Sequence, residues 1–331
     1  MKTLYVSHSG CYVALKGETL MIKQGETIFA QVQLPLIEQI LIFGKSQLTT
    51  QAIRACLWRN IPVAYLSRMG YCYGRIMSIE RGYRQLAHYQ QQLVFGERLK
   101  TARAIVTAKL KNSRILLRRQ RRRHSSPRLE KVLKRLDYLT TQASEADSIE
   151  RLLGFDGAGA AQYFEGFGEC LSDSAFVFTH RTRRPPGNPV NAMLSFGYQI
   201  LWNHLLALIE LQGLDPYQAC LHQGTQRHAA LASDLVEEFR APLVDALVMY
   251  MINRKFIDER ADFVYKNGGC YLNDSGRRRY LKVFLQRMEE LIQGQDSSEK
   301  TPRWHLLSSQ VLAYKQFIYK PSQGYQPYRI D

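Results

Sequence analysis

The stretch at residues 84–123, RQLAHYQQQLVFGERLKTARAIVTAKLKNSRILLRRQRRR, is where the chain changes character. Its apolar residues recur at helical spacing and its polar positions are strongly basic, so it reads as long helix. The chain before it reads as strand. KTLYVSH (2–8), CYVALKG (11–17), TLMIKQ (19–24) and TIFAQVQL (27–34) are short β-rich runs separated by Gly and polar breaks. Lys16-Gly17-Glu18 marks a hairpin turn. QILIFG (39–44) reads as a buried strand, and TTQAIRACLWRN (49–60) as a helix capped by Thr49 or Thr50. IPVAYLS and YGRIMSI return to strand.

Beyond 123 the helical period continues. RLEKVLKRLDYLTTQASEADSIERLLG (128–154) places Leu129, Leu133 and Leu136 at helical spacing, after a turn at Pro127. A further helix is expected to begin after Asp156. THRTRRPPGNP (179–189) is a loop by composition, with three prolines and three arginines. VNAMLSFGYQILWNHLLALIELQG is a long helix ending at Gly213. SDLVEEFRAPLVDALVMYMINRKF is another, bent or broken at Pro242. The last segment holds one short helix and a polar, Pro/Tyr-rich tail. The expected fold class is α+β, a small β-rich N-terminal domain (1–80) followed by a larger all-α catalytic domain (81–306) and a C-terminal tail (307–331).

Hydrophobic residues make up 45% of the 331, enough for a substantial core. Lys and Arg number 45 against 29 acidic residues, and the net charge of +16 points to a polyanionic partner, nucleic acid before membrane. No apolar run reads as a spanning helix of ~20 residues, and the N-terminus lacks a signal-peptide core. The six cysteines form no C-x-x-C pair and no zinc spacing. They read as reduced thiols, which fits a cytoplasmic protein.

Three places carry candidate chemistry. His222 closes LDPYQACLHQG. Asp234 and Glu237 lie three apart in ASDLVEEF, on one face of a helix. Asp156 stands among the smallest residues in GFDGAGAAQYF (154–164), either as a helix cap or as a metal ligand. Carboxylates with one imidazole form a mixed O/N donor set suited to Mg²⁺ or Mn²⁺, and beside a basic surface that set suggests metal-assisted phosphodiester chemistry. The basic residues cluster at Arg118, Arg119, Arg121, Arg122 and Arg123, at Arg181, Arg183 and Arg184, and at Arg277, Arg278 and Arg279. Arginine's planar fork suits phosphate, so the expected DNA readout is of backbone and shape.

LYVSHSGCYVAL, LPLIEQILIFGKSQLTTQAI, IPVAYLSRMGYCYGRI, GFDGAGAAQYF, RRPPGNPVNAMLSFGYQILWNHL, GLDPYQACLHQG and DLVEEFRAPLVDALVMYMINR, in this order, resemble the CRISPR-associated spacer-acquisition integrases, the Cas-one family. The resemblance covers essentially the whole chain. It implies a dimerising β-rich N-terminal domain, a helical C-terminal domain holding the active site, and a complex with the small Cas-two protein. It implies Mg²⁺- or Mn²⁺-assisted attack of a 3′-hydroxyl of captured double-stranded DNA on a phosphodiester at the repeat boundary of a CRISPR array. Carried over, the metal ligands are Asp156, His222 and Glu237, with Asp234 as an auxiliary acid, and Asn191, Ser195 and Tyr198 are polar positions beside the site. Asp156 departs from the pattern, because the family normally has Glu there. Two other readings stand beside integration: a metal-dependent endonuclease on branched or single-stranded DNA, and a catalytically impaired DNA-binding scaffold.

Overall fold

The computed structural model describes every residue except 1, 2, 7, 9, 68–71, 80–82, 122–125, 226, 227, 294–299 and 331, and the side chains of 83 and 84. The described chain forms two compact units, one from Met1–Arg81 with Leu285–His305, the other from Gly82–Phe284 with Leu306–Asp331.

The first unit contains β1 (Thr3–Val6), β2 (Tyr12–Lys16), β3 (Thr19–Gln24), β4 (Thr27–Gln33), β5 (Gln39–Phe43), β6 (Gln47–Leu48), α1 (Thr50–Trp58), β7 (Val63–Leu66) and β8 (Cys72–Ile76). They make two four-stranded sheets, ordered β1-β5-β7-β8 and β4-β3-β2-β6. β2 and β3 form the hairpin, with Lys16 opposite Thr19 and Gly17 at φ +59°, where a side chain would be strained. β5 runs parallel to both β1 and β7 and is buried at every residue, which is why it reads as a continuous apolar run. The Thr49 side chain caps α1 by accepting from the Ala52 amide at 3.1 Å, and α1 buries Ala52 and Cys56 against Val13, Leu20, Ile40 and Val63. β4 lies at a sheet edge with Ile28 and Phe29 exposed.

The second unit is helical: α2 (Tyr83–Gln91), α3 (Phe95–Gln120), α4 (Pro127–Glu145), α5 (Ile149–Glu169), α6 (Pro189–Leu211), α7 (Ala230–Phe239) and α8 (Ala246–Asn253). One hairpin follows, β9 (Phe263–Lys266) and β10 (Gly269–Leu272), so the unit is not purely α. The chain goes on through α9 (Asp274–Glu289), the short hairpin β11 (Leu291–Gln293) and β12 (Lys300–Pro302), and α10 (Trp304–Tyr319). Helices α3, α4 and α5 pack on one another, and α3 also packs on α7, which in turn packs on α6.

Several expectations are corrected. The region 81–306 is not one body, because Leu285–His305 packs with the N-terminal strands. Trp304 is fully buried there, with its ring 6.2 Å from that of Tyr5 and its Nε1 donating to Glu289 at 3.2 Å. Residues 307–331 are not a tail. α10 runs for 16 residues, and the chain after it is held by Glu238, which accepts from the Tyr325 hydroxyl and from the Tyr328 amide at 2.6 Å. Asn112 on α3 donates to the Tyr328 carbonyl at 3.0 Å and accepts from the Ile330 amide at 3.0 Å. At Pro242 the helix is irregular but continuous. A π-helical turn, Arg240–Asp245, joins α7 to α8 and absorbs the missing N–H. α6, at 23 residues, is long and apolar enough to cross a membrane by length and composition, but most of it is buried inside the helical unit. All six cysteines are free thiols, five of them buried.

Candidate active site

Asp156 is not a helix cap. Ser148 caps α5, accepting from the Arg151 amide at 3.3 Å, and Asp156 lies about two turns further in. Among its small neighbours Gly159 serves helix packing, whereas Gly154 and Gly157 face open space. A Cβ at Gly159 would lie 2.3 Å from Cδ2 of Leu110, and one at Gly166 would lie 2.8 Å from Cδ1 of Leu117 and 2.9 Å from Cγ1 of Val132. α5 therefore packs closely on α3 and α4 at these two glycines, where an added Cβ would have to push aside the Leu110, Leu117 and Val132 side chains. That closeness brings Asp156 to Lys109 on α3, whose Nζ lies 2.7 and 2.9 Å from the two carboxylate oxygens.

Lys109 also ion-pairs with Glu237 on α7, Nζ to Oε2 at 2.8 Å. Arg240 holds the other oxygen, Oε1, at 2.8 Å. Burial alone would raise the Glu237 carboxyl, but Arg240, Lys109 and His222 outweigh it and hold the group well below the usual carboxylate range. Burial likewise opposes charge on Lys109, and Asp156 and Glu237 overcome it, so its pKa is raised.

Asp234 faces inward with no exposed surface. Its Oδ2 accepts from the Cys220 and Leu221 amides at 2.8 and 2.9 Å, and its Oδ1 from the His222 amide at 2.9 Å and from His222 Nδ1 at 2.8 Å. An ionised carboxylate only accepts, so Nδ1 carries the proton and Nε2 presents its lone pair. Burial lowers the imidazole's pKa, but the Asp234 hydrogen bond and charge more than offset it, with a net rise. Asp234 and Glu237 do not lie on a solvated helix face, since every residue of α7 is buried.

A second carboxylate network adjoins the first. Asp245, at the end of the π-helical turn, accepts from the Tyr163 hydroxyl at 2.7 Å and from the Tyr198 hydroxyl. The Arg240 and Arg181 guanidinium groups lie 4.6 and 5.6 Å from the Tyr198 ring centre. Burial pushes the Asp245 carboxyl from 3.8 up to about 6, against the pull of its tyrosine hydrogen bonds. The native state then binds a proton more tightly than the unfolded chain. The stability Asp245 contributes is full below about pH 4 and lost as pH rises through about 6. Relative to Asp245→Asn, the wild-type protein should therefore lose thermal stability between pH 4 and 7. Parallel melting curves across that window would show that Asp245 has no such shift.

The arginine loop is held from within. Arg181 donates to the Thr182 carbonyl, to Asn191 Oδ1 at 2.9 Å and to Ser195 Oγ at 2.9 Å, and Asn191 donates to the His180 carbonyl at 3.0 Å. Burial lowers the Arg181 pKa to about 10. Arg181, Asn191, Ser195 and Tyr198 are thus engaged inside the protein, and Arg183 and Arg184 are the loop's exposed cations. Arg183 lines a small open cavity with Lys109, Ser113, Tyr198 and Arg240. Arg118 and Arg119 are exposed at the end of α3, and Arg121 pairs with Glu130 at 3.3 Å. Arg122 and Arg123 lie outside the described residues. Arg277 is bound to the Leu272 carbonyl at 3.0 Å and to Asp274, Arg279 pairs with Asp262 at 3.3 Å, and Arg278 is exposed.

Lys109, Arg240, Asp245 and Tyr163 are absent from the sequence-based candidates. Lys109 carried one signal: Ile105, Lys109, Asn112 and Leu116 fall on one buried stripe of α3. Among the described residues, no three His, Cys, Asp or Glu side chains already converge at ligand spacing, because the ammonium stands between the two carboxylates. The donor set still fits a hard cation. It offers two carboxylates that already hold one positive charge between them and an imidazole whose ring is fixed by Asp234.

The family model described as CRISPR associated protein Cas1 matches residues 4–286. A Cas4 exonuclease/Cas1 endonuclease fusion of Geobacter sulfurreducens is 38% identical over 296 residues, covering 87% of this chain and 53% of the relative. The chain spans about half the length of the fusion relatives it matches. A CRISPR-associated endonuclease Cas1 of Thermus thermophilus is 34% identical over 288 residues, covering 87% of each. Among solved structures, a Cas1 protein from Thermotoga maritima superposes with a TM-score of 0.81 at 25% identity over the whole of both chains. A chain of a Cas6-RT-Cas1–Cas2 complex gives 0.81 at 26% identity, over all of this chain and 36% of the other.

Proposed function

Because the chain belongs to the Cas1 family of CRISPR-associated proteins, we propose that it is a metal-dependent DNA integrase of CRISPR adaptation. It would join the 3′-hydroxyl ends of captured double-stranded fragments to the repeat boundary of a CRISPR array by transesterification. The observation that carries this reading is the pairing of Asp156 and Glu237 through the Lys109 ammonium, with an Asp234-oriented His222 close enough to act electrostatically on Glu237, in a helical unit that also places Lys109, Arg183 and Arg240 around one cavity.

Asp156, His222 and Glu237 are the residues that would hold Mg²⁺ or Mn²⁺. When bound, such an ion supplies Lewis-acid polarisation of the phosphodiester and stabilises the attacking and leaving oxygens. The protein's own part is positional. Asp234 fixes the His222 ring and acts as its support, a narrower role than that of an auxiliary acid. Arg240 orients Glu237. Arg181, Asn191 and Ser195 stiffen the loop that presents Arg183 and Arg184, and Tyr198 carries Arg240 on its ring face. Arg118, Arg119, Arg183, Arg184 and Arg278 give a backbone-reading path for DNA, in which each phosphate neutralised adds about 0.9 to the salt slope for a duplex.

The partners follow from the same reading: a second copy through the exposed β4 edge of the first unit, a Cas2-type protein as in the similar complex, and DNA inside the cell. Water in place of the 3′-hydroxyl would turn the same residues to endonuclease work, the activity for which the Thermus relative is named. An assay with supercoiled plasmid, an end-labelled fragment and Mn²⁺ or Mg²⁺ separates the two. The integrase reading expects label covalently joined to plasmid. Nicked plasmid without joined label assigns the hydrolytic reaction, and neither product with either ion assigns the scaffold role.

A further inference from the structure

Lys109 is an unusual group to find at a site read as a cation site. Its side chain is 11% exposed, it lies on the buried stripe of α3, and its single ammonium spans both proposed carboxylate ligands, Asp156 at 2.7 Å and Glu237 at 2.8 Å. A divalent ion held by those carboxylates would compete for the same oxygens. Two cations cannot share them at these distances without strong repulsion in a weakly screened interior. The ammonium also solves a problem of the metal-free site, because the partly buried Asp156 and the buried Glu237 share it and would lose its charge together. Arg240 cannot serve this purpose alone. It pairs with the far oxygen of Glu237 and has no contact with Asp156 within ion-pair distance.

We propose that Lys109 is the site's resident cation: it holds Asp156 and Glu237 in place before the metal arrives, and the metal must displace it to bind. The inference rests on the metal reading given above. Lys109 also lines the cavity shared by Ser113, Arg183, Tyr198 and Arg240. An ammonium released from the carboxylates therefore has a place beside the proposed DNA path, where a phosphodiester becomes its new counter-ion. DNA should then strengthen metal binding, and metal should strengthen DNA binding by the same factor.

The test is Mn²⁺ affinity, measured by calorimetry on the full chain without turnover. Lys109→Met keeps much of the side-chain length and removes the charge. It should bind Mn²⁺ at least about tenfold more tightly than wild type, the weaker end of what one charge-assisted hydrogen bond is worth. Its metal-free melting temperature should fall, and Mn²⁺ should raise it by more than in the wild-type protein. Lys109→Arg keeps the charge and so guards against misfolding; its larger forked head should hold the carboxylates harder and weaken Mn²⁺ binding below wild type. A short duplex with 3′-dideoxy ends should tighten Mn²⁺ binding to wild type and leave Lys109→Met unchanged. Equal affinities in wild type, Lys109→Met and Lys109→Arg would overturn this inference alone. An absence of Mn²⁺ binding in all of them, matching Glu237→Ala, would overturn the metal reading and this inference with it.

Discussion

Glu237→Ala and His222→Ala are each expected to lose strand joining by more than about 100-fold. Altering a residue that merely supports a metal ligand commonly costs about 10–100-fold, and these two are proposed as ligands themselves. The two variants differ in what they leave behind. Glu237→Ala takes from the buried Arg240 its carboxylate partner and from Lys109 one of its two, so its loss of activity comes with a loss of stability. Glu237→Gln keeps the size and is the cleaner probe. His222→Ala removes a ring that is 30% exposed and leaves Asp234 with its three backbone donors, so its fold should be nearly unaffected. Without divalent metal, duplex affinity should change little in any of them, because Arg118, Arg119, Arg183 and Arg184 remain. Joining by Glu237→Gln or His222→Ala within tenfold of wild type would remove these residues from the active site.

Asp234→Ala is expected to be the most destabilising single change at the site, by about 3 kcal/mol or more. It orphans the amides of Cys220, Leu221 and His222, the first two buried, at roughly 1–3 kcal/mol for each unsatisfied buried donor. A cost of that size is a large share of a typical domain's stability. The same change frees the His222 ring, so activity should fall even in conditions where the variant remains folded. Asp234→Asn keeps one acceptor oxygen and should fall between the two. Urea unfolding of the three proteins measures this directly. A loss under 1 kcal/mol in Asp234→Ala would mean that other contacts hold residues 220–222.

Features set by local chemistry were legible in the sequence. The Lys16-Gly17-Glu18 turn, the Thr49 cap and the fully buried β5 each follow from a few adjacent residues. Features that depend on which face a helix turns inward were not. Lys109 sits in a strongly basic stretch, yet its register with Ile105 and Asn112 puts it in the interior. Asn191, Ser195 and Tyr198 read as polar positions beside the site, and the fold engages them with Arg181 and Asp245. The smallest residues around Asp156 read as room for a ligand. Of these, Gly159 is room for α3, and what that approach delivers is the Lys109 ammonium. The holding of the chain end by Glu238 and Asn112 spans more than eighty residues and has no local signal.

The π-helical turn at Arg240–Asp245 acts as a phase shifter. Relative to a regular helix it holds one residue too many, and one residue is worth about 100° of rotation. Upstream of it the helix is indexed to the chemistry, with Asp234 and Glu237 aimed at the site. Downstream it is indexed to the interior, with Leu247, Val248, Met251 and Ile252 buried. Deleting any one residue between Arg240 and Asp245 would restore a regular helix and turn one half out of alignment with the other. The segment should therefore accept exchanges of side chain far more readily than any change of length, because what it encodes is an angle.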